Sequence, residues 1–254
     1  MIQLKSPREI EVMAAGGRIL AATLELITRE VQPGMSTLDL DRLAEEFIRS
    51  HAGAVPSFKG LYGFPGTLCT SINDEIVHGI PSRKRTLREG DLVSIDVGVK
   101  YGGLHTDSAA TVAVGEIDAP SRRLLDVTQR SLDAGIAAAR AGNHIGDIGA
   151  AVQRVVEPAG FSVVRDLVGH GIGEAFHEEP QVPNFGKPRR GTKLVPGLTI
   201  AIEPMVNVGS HKTRTLPDRW TIATADGSRS AHFEHTVAIT DRGPRVLTCL
   251  NGRP

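Results

Sequence analysis

Two segments far apart in the chain approach a carboxylate in the same way. One runs Gly90-Asp91-Leu92-Val93-Ser94-Ile95-Asp96. The other runs Gly197-Leu198-Thr199-Ile200-Ala201-Ile202-Glu203. Large apolar residues hold one parity (Val93, Ile95, Val97; Leu198, Ile200, Ile202), and the acid shares the other with small or hydroxyl residues (Ser94, Gly98; Thr199, Ala201). Side chains on a strand alternate between faces, so each acid points away from the bulky face and into open room. A chain that repeats this pattern is constrained to two related halves with an acidic site between them.

The flanking segments repeat as well. Ser6-Pro7-Arg8-Glu9 reads as a capping box with proline at the first helical position. It predicts a helix with Ile10, Met13, Leu20, Leu24 and Ile27 on its buried side, stopping before Pro33-Gly34. Ser36-Thr37-Leu38-Asp39 opens a second helix through about Ser50, with Leu40, Leu43 and Phe47 as its apolar stripe and Gly53 as its stop. Residues 56–114 then read as strands and hairpins. The order recurs with helices over 124–141 and 148–156 and strands over 161–247. Two helices followed by a sheet, twice, is an α+β duplication. Its pseudo-repeats lie near 1–118 and 119–254 of a single catalytic domain spanning 1–254. Thr111-Val112-Ala113-Val114 also matches Thr236-Val237-Ala238-Ile239. Asp107 and Glu234 lie at even offsets before these segments, so the two acids share a face. No linker separates the halves, and their strands are expected to join into one curved sheet.

Composition narrows the function classes. The 29 basic and 29 acidic side chains balance, which gives no electrostatic argument for nucleic acid or an acidic membrane as partner. Two cysteines, Cys69 and Cys249, make no disulfide framework and suit a reducing compartment. The N-terminal residues carry no signal peptide, and no run of about 18 apolar residues offers a membrane span. A cytoplasmic enzyme is the expectation.

Four acids stand out: Asp96, Asp107, Glu203 and Glu234. Gly102-Gly103 supplies a hairpin turn between the first two. Four carboxylates on one face repel one another unless a cation neutralises them. Oxygens alone suit magnesium or calcium; an added imidazole shifts the choice toward manganese, iron, cobalt or zinc. The imidazole candidates are glycine-framed His170, His177 seven residues later, and His78 before Gly79. Four carboxylates and one histidine can hold two metal ions with a bridging carboxylate and water, a pair that activates the water and clamps a tetrahedral intermediate. His51, His105, His144, His211 and His232 stand outside any glycine-framed or repeated context and read as structural. His235, on the face opposite Glu234, reads the same way. Glu178 and Glu179 read as a solvated pair or a support for His177, and Cys69 as a pocket wall or a core residue. No phosphate-binding glycine motif is present.

Taken in order, Ser71-Ile72-Asn73, His78-Gly79-Ile80-Pro81, Asp91 to Gly98, His105-Thr106-Asp107-Ser108-Ala109, Gly169 to Gly173, Phe176-His177-Glu178-Glu179-Pro180, Ile202-Glu203-Pro204 and Phe233-Glu234-His235-Thr236 resemble the type I methionine aminopeptidases. The match spans nearly the whole chain. The resemblance implies the pita-bread fold: two pseudo-symmetric αβ halves around a curved antiparallel sheet. It implies removal of the initiator methionine from nascent proteins with a small second residue. It implies two divalent ions (Co, Mn, Fe or Zn) held by Asp96, Asp107, His170, Glu203 and Glu234, with Asp107 and Glu234 bridging. His78 and His177 would contact substrate, and Phe64, Cys69, Phe176 and Trp220 would line the methionine pocket. Asn73 and Ser230, with the carbonyl of Glu75, would form a site for a monovalent Na or K ion. Phe64 stands where many relatives have tyrosine, and Leu61 where some have another aromatic residue, which implies a more apolar pocket rim. No extension precedes Ser6 and no long insertion precedes the Glu203 strand, so the short bacterial subtype is expected.

The implied mechanism has a metal-bridging water attack the scissile carbonyl, with Glu203 as proton shuttle and His78 and His177 steadying the oxyanion or the departing nitrogen. A monomer acting on N-terminal Met peptides, with a transient ribosome contact, no nucleic acid and no membrane, completes the expectation. Its rivals are an X-Pro aminopeptidase or dipeptidase on the same fold and a non-catalytic pita-bread binding protein.

Overall fold

The computed structural model describes residues 2–250. Four α-helices lie among them: α1 (Pro7–Glu30), α2 (Thr37–Arg49), α3 (Ala119–Ala138) and α4 (Ile145–Val156). The first half's strands are β1 (Ala54–Pro56), β2 (Leu68–Ile72), β3 (Glu75–Val77), β4 (Leu92–Tyr101) and β5 (Leu104–Ala113). The second half opens with β6 (Ser162–Val163), β7 (Gly169–Gly171), β8 (Glu178–Val182), β9 (Thr199–Ile202) and β10 (Met205–Asn207). It continues with β11 (Thr213–Thr215), β12 (Ile222–Thr224), β13 (Ser230–His232), β14 (Glu234–Thr240) and β15 (Gly243–Val246). No helix of the described residues is long and apolar enough to cross a membrane.

The main sheet is antiparallel and curved, in the order β1-β4-β5-β14-β9-β7-β8, with β2 also beside β4 and β15 beside β14. The hairpin strands of one half meet those of the other where β5 pairs with β14. Reading outward from that seam gives β5 then β4 on one side and β14 then β9 on the other. This is the mirrored order that a duplication produces.

Parity decides what each face meets. Val93, Ile95, Val97 and Val99 join Leu20, Ile27, Leu40 and Ile48 in a core under α1 and α2. Leu198, Ile200, Ile202, Val237 and Ile239 join Leu132, Ile136, Ile145 and Ile148 under α3 and α4. Each fully buried aliphatic side chain contributes about 1.5–3 kcal/mol, so a one-residue register slip that turned these faces over is strongly disfavoured. The helices therefore cover the apolar face, and the acid parity is left on the inner face. Close packing of α1 needs Gly17: a Cβ there would lie 2.2 Å from the carbonyl oxygen of Leu247.

The first two helices run as expected, each from a reciprocal capping box. The later two differ in their bounds. α3 starts at Ala119, ahead of the expected 124, because Asp118 Oδ1 accepts the Ser121 N–H at 2.8 Å and Pro120 falls in the first turn. It ends at Ala138 because Ala139 leaves helical geometry (φ −77°, ψ 58°). α4 starts at Ile145, not 148, because the Asp147 carboxylate accepts the His144 backbone N–H at 2.8 Å. Histidine is not a preferred cap residue, so the start carried no side-chain signal.

Candidate active site

The ladder registers bring the four acids together. Gly102 and Gly103 turn the β4–β5 hairpin with φ of 56° and 88°, the pair of positive values a type I′ turn requires. The hairpin sets Asp96 opposite Ala109 and Asp107 opposite Gly98. Across the seam, Glu234 faces Ala109, and His235 faces both Ser108 and Ile202. Cross-strand partners share a face. One row therefore runs Cys69, Asp96, Ala109, Glu234, and the β9–β14 register carried one residue further adds Glu203. The neighbouring row holds Gly98 and Asp107, with Thr236 opposite Ala201 beyond the seam. The small residues in these rows leave room above the sheet, and the acids close the floor of a cavity of about 310 Å³.

The fifth member comes from β7. His170 Nε2 lies 3.9 Å from Asp107 Oδ2 and 3.7 Å from Glu203 Oε1. Its Nδ1 sits 2.8 Å from the Gly171 carbonyl. A carbonyl only accepts, so Nδ1 carries the proton and Nε2 presents a lone pair to the acids. Burial pulls the ring's pKa down to about 4, which keeps it neutral.

The acids are held in an unfavourable state by protein alone. Burial raises Asp96 to about 7. Burial, then the charges of Glu234 and Asp96, push Asp107 well above the carboxylate range. Burial, then Asp107 and Asp96, does the same to Glu203; burial, then Glu203 and Asp96, to Glu234. Asp96 Oδ1, Asp107 Oδ1 and Glu234 Oε1 are buried without a hydrogen-bond partner. Asp107, His170 and Glu234 each offer a ligand atom within 4.8 Å of the others. Orphaned carboxylate oxygens converging with an imidazole lone pair are the donor set for divalent cations, and the residues fit such ions.

The rest of the wall divides by chemistry. His78 ends the β3 turn with φ 60°, and burial pulls it down to about 4. His177 meets His170 edge-on at 4.4 Å and Phe176 at 4.8 Å, and burial lowers it too. Phe64 and Trp220 pack edge to face at 5.2 Å, next to Cys69, whose thiol burial keeps protonated. All of these line the same cavity. The turn bearing Phe176 and His177 is braced from below. Glu178 accepts the Ala175 N–H at 3.1 Å and forms a buried ion pair with Lys5 of the N-terminal segment.

Asn73 and Ser230 lie apart from this cavity and touch each other. The Asn73 carbonyl accepts the Ser230 N–H at 2.9 Å, while its side chain binds Asp91 and the Leu92 N–H. The Glu75 carboxylate is taken by the Ile72 N–H and Arg85.

Two wall residues correct the sequence reading. His232, read as structural, enters the cavity with Nε2 3.8 Å from both Glu203 Oε2 and Glu234 Oε2. Its signal was the even offset from Glu234, which puts both on one parity. The rim is also less apolar than implied, because Tyr62 stacks on His177 at 5.8 Å and brings its hydroxyl to 3.4 Å from Nδ1. Tyr62 takes φ 51° between Gly60 and Gly63, a conformation no periodicity foretells.

Comparison with known proteins agrees with this geometry. The profile of metallopeptidase family M24 matches residues 11–241. The methionine aminopeptidase of Clostridium perfringens is 52% identical over 250 residues, covering 98% of this chain and 100% of that protein. Methionine aminopeptidase 1 of Bacillus subtilis is 50% identical over 248 residues, covering 98% and 99%. The crystal structure of the Thermotoga maritima methionine aminopeptidase superposes with a TM-score of 0.96 at 42% identity, covering 98% and 100%. The prolidase of Pyrococcus furiosus superposes at 0.76 with 22% identity and only 65% of its length covered, a likeness of fold alone. Matched along its length by sequence and by structure, the chain belongs to metallopeptidase family M24, in its methionine aminopeptidase branch.

Proposed function

We propose that this protein removes the N-terminal methionine from new proteins whose second residue is small, using a pair of divalent ions. The observation that carries this reading is one cavity with an acid-and-imidazole floor and an aromatic, thiol-lined wall. Asp96, Asp107, His170, Glu203 and Glu234 would hold the ions. Divalent ions held there would supply Lewis acidity, making a bound water easier to deprotonate and the scissile carbonyl easier to attack. Manganese, iron, cobalt and zinc all suit four carboxylates with one imidazole, and availability selects among them.

The chain's own residues do the rest. The methionine thioether fills the space beside Phe64, Phe176, Trp220 and Cys69, a soft flexible group against aromatic rings. Glu203 lines the floor of the cavity. It takes the proton of the attacking water and passes it to the departing amine. His78 and His177, kept neutral by burial, donate hydrogen bonds to the oxyanion or to the leaving nitrogen without adding charge. Asn73, Ser230 and the Glu75 carbonyl are assigned to a monovalent ion that ties the β3 turn to β13. The reading takes a monomer, working in the cytoplasm on chains leaving the ribosome.

The test compares hydrolysis of Met-Gly-Met and of an X-Pro dipeptide by demetallated protein with each metal restored. Metal-dependent release of methionine, with the X-Pro peptide untouched, is expected. Faster cleavage of the X-Pro peptide overturns the reading in favour of a prolidase-like activity.

A further inference from the structure

The segment ahead of α1 has no part in the reaction above, yet one of its side chains reaches the cavity wall from behind. The Lys5 backbone N–H donates to the Gly197 carbonyl at 2.7 Å, which ties the segment to the approach of β9. The Lys5 side chain, 3% exposed, crosses the turn between β7 and β8 and ends on the Glu178 carboxylate. Only glycine admits that path at residue 173, since a Cβ there would overlap Lys5 Cε and Nζ. The ammonium also donates to the Gln3 carbonyl at 3.2 Å. Glu178, itself 8% exposed, uses its other oxygen to accept the Ala175 N–H at 3.1 Å. The Gly173 N–H donates to the Ala175 carbonyl at 3.0 Å, and the Gly173 carbonyl accepts the His105 N–H at 2.8 Å.

The two rings on this turn are fixed in different ways. Phe176 is buried and packs edge-on against Phe58 at 5.2 Å and His105 at 5.7 Å, so the core of the first half holds it. His177, one residue on, is exposed, and the rings it meets are those of the cavity wall. The backbone of the turn therefore decides where His177 points. A buried ion pair is a weak source of stability, because apolar side chains of the same bulk avoid its desolvation cost. What the charges add is a fixed separation: if the turn drifts from Lys5, two buried charges lose their partners, which is strongly unfavourable.

We propose that Lys5 is a positioning residue for methionine release: through Glu178 it locks the turn that aims His177 at the substrate. The inference rests on the metallopeptidase reading. The test is a double-mutant cycle, with kcat for Met-Gly-Met measured at saturating metal. Lys5→Met keeps the length of the stem and removes the charge, leaving Glu178 to draw water and loosen the turn. It is expected to lower kcat by between about tenfold and a hundredfold, the scale of a misplacement of about 1 Å. In a His177→Ala background the same substitution is expected to cost no more than about twofold, because residues that act through one another do not add. An unchanged kcat for Lys5→Met overturns the proposal, and so do equal losses in the two backgrounds, the mark of a strut that serves the fold in general. Should Lys5→Met not fold, Lys5→Met combined with Glu178→Gln takes its place in the same cycle, under the same expectations. That pair leaves no buried charge unmatched and keeps an oxygen for the Ala175 N–H. Proton NMR of the zinc-loaded chain reads the turn directly: the substitution is expected to move the ring signals of His177 and leave those of His78 in place. Unmoved His177 signals, or equal movement of both rings, overturn the proposal. A parent chain that releases no methionine with any of the metals sinks the metallopeptidase reading itself, and the NMR comparison still decides whether Lys5 holds the turn.

Discussion

The two halves of the molecule present their acids differently. In the first, Asp96 and Asp107 lie inside a hairpin paired at every position from Leu92↔Ala113 to Tyr101↔Leu104. In the second, the β9–β14 ladder spans only Thr199 to Ile202; Glu234 opens β14, and Glu203 lies just beyond β9. Short acids stand on a continuous ladder, and long acids stand at strand ends. A glutamate has one more rotatable bond than an aspartate, so the second half trades a fixed floor for reach. It also supplies His170, His177 and His232, the imidazoles nearest the acids. The duplication kept the rows and left one half to set the geometry and the other to adapt to it.

The largest effect should come from the fixed half. Asp107→Ala should lower metal-dependent release of methionine from a Met-Ala peptide by more than about a hundredfold, beyond what loss of an outer partner of a metal site costs. Asp107→Glu should do nearly as much damage, because Gly98 faces Asp107 and a fully paired ladder cannot retreat to seat a longer side chain. Glu203→Asp, in the adaptable half, should weaken metal binding by only about tenfold. Equal losses from Asp107→Glu and Glu203→Asp, measured by metal titration, would erase the distinction between the halves.

A smaller effect concerns stability without metal. Burial raises the folded-state pKa of Asp96 to about 7, against an unfolded value of about 3.9. A group whose folded pKa is raised contributes stability that is fully present below the unfolded value and is lost as the pH rises through the folded one. Chelated protein should therefore melt at lower temperature at pH 8 than at pH 5, with each kcal/mol lost lowering Tm by about 2–4 °C for a chain of this size. Saturating metal should remove the trend, and Asp107→Asn should blunt it by taking a charge from the basin. A chelated protein whose Tm rises over that range contradicts this account.

Much of this could be read from residues alone, for a physical reason. Strand parity is local, so the spacing of Asp96 and Glu203 from apolar neighbours showed which face each acid takes, and the capping boxes at Ser6 and Ser36 announced their helices. The seam was not legible. That β5 pairs with β14 depends on contacts between halves, which no local pattern encodes. His232 was legible in principle, from its even offset to Glu234, but lacked the glycine frame that singles out His170. Tyr62 left no trace, since its left-handed turn and its stack on His177 join residues far apart in the chain.

The smallest effect tests what separates a structural buried acid from the four in the basin. Asp41, on α2, is buried, but its Oδ1 accepts the N–H groups of Thr67 at 2.7 Å and Leu68 at 2.8 Å. Those bonds lead into β2 and fix the approach to Cys69. Asp41→Ala leaves two buried donors unsatisfied and should cost about 1–3 kcal/mol. Asp41→Asn keeps an oxygen for both and should stay within about 1 kcal/mol. Burial is the largest influence on the Asp41 carboxyl and raises its pKa, so its contribution is present below the unfolded value and lost as the pH rises. The variant cannot ionise. Denaturant melts should therefore find Asp41→Asn closest to the parent near pH 3 and relatively more stable toward pH 8. The opposite slope would mean that the two backbone donors outweigh burial, and that Asp41 is ionised more readily in the folded chain than in the unfolded one.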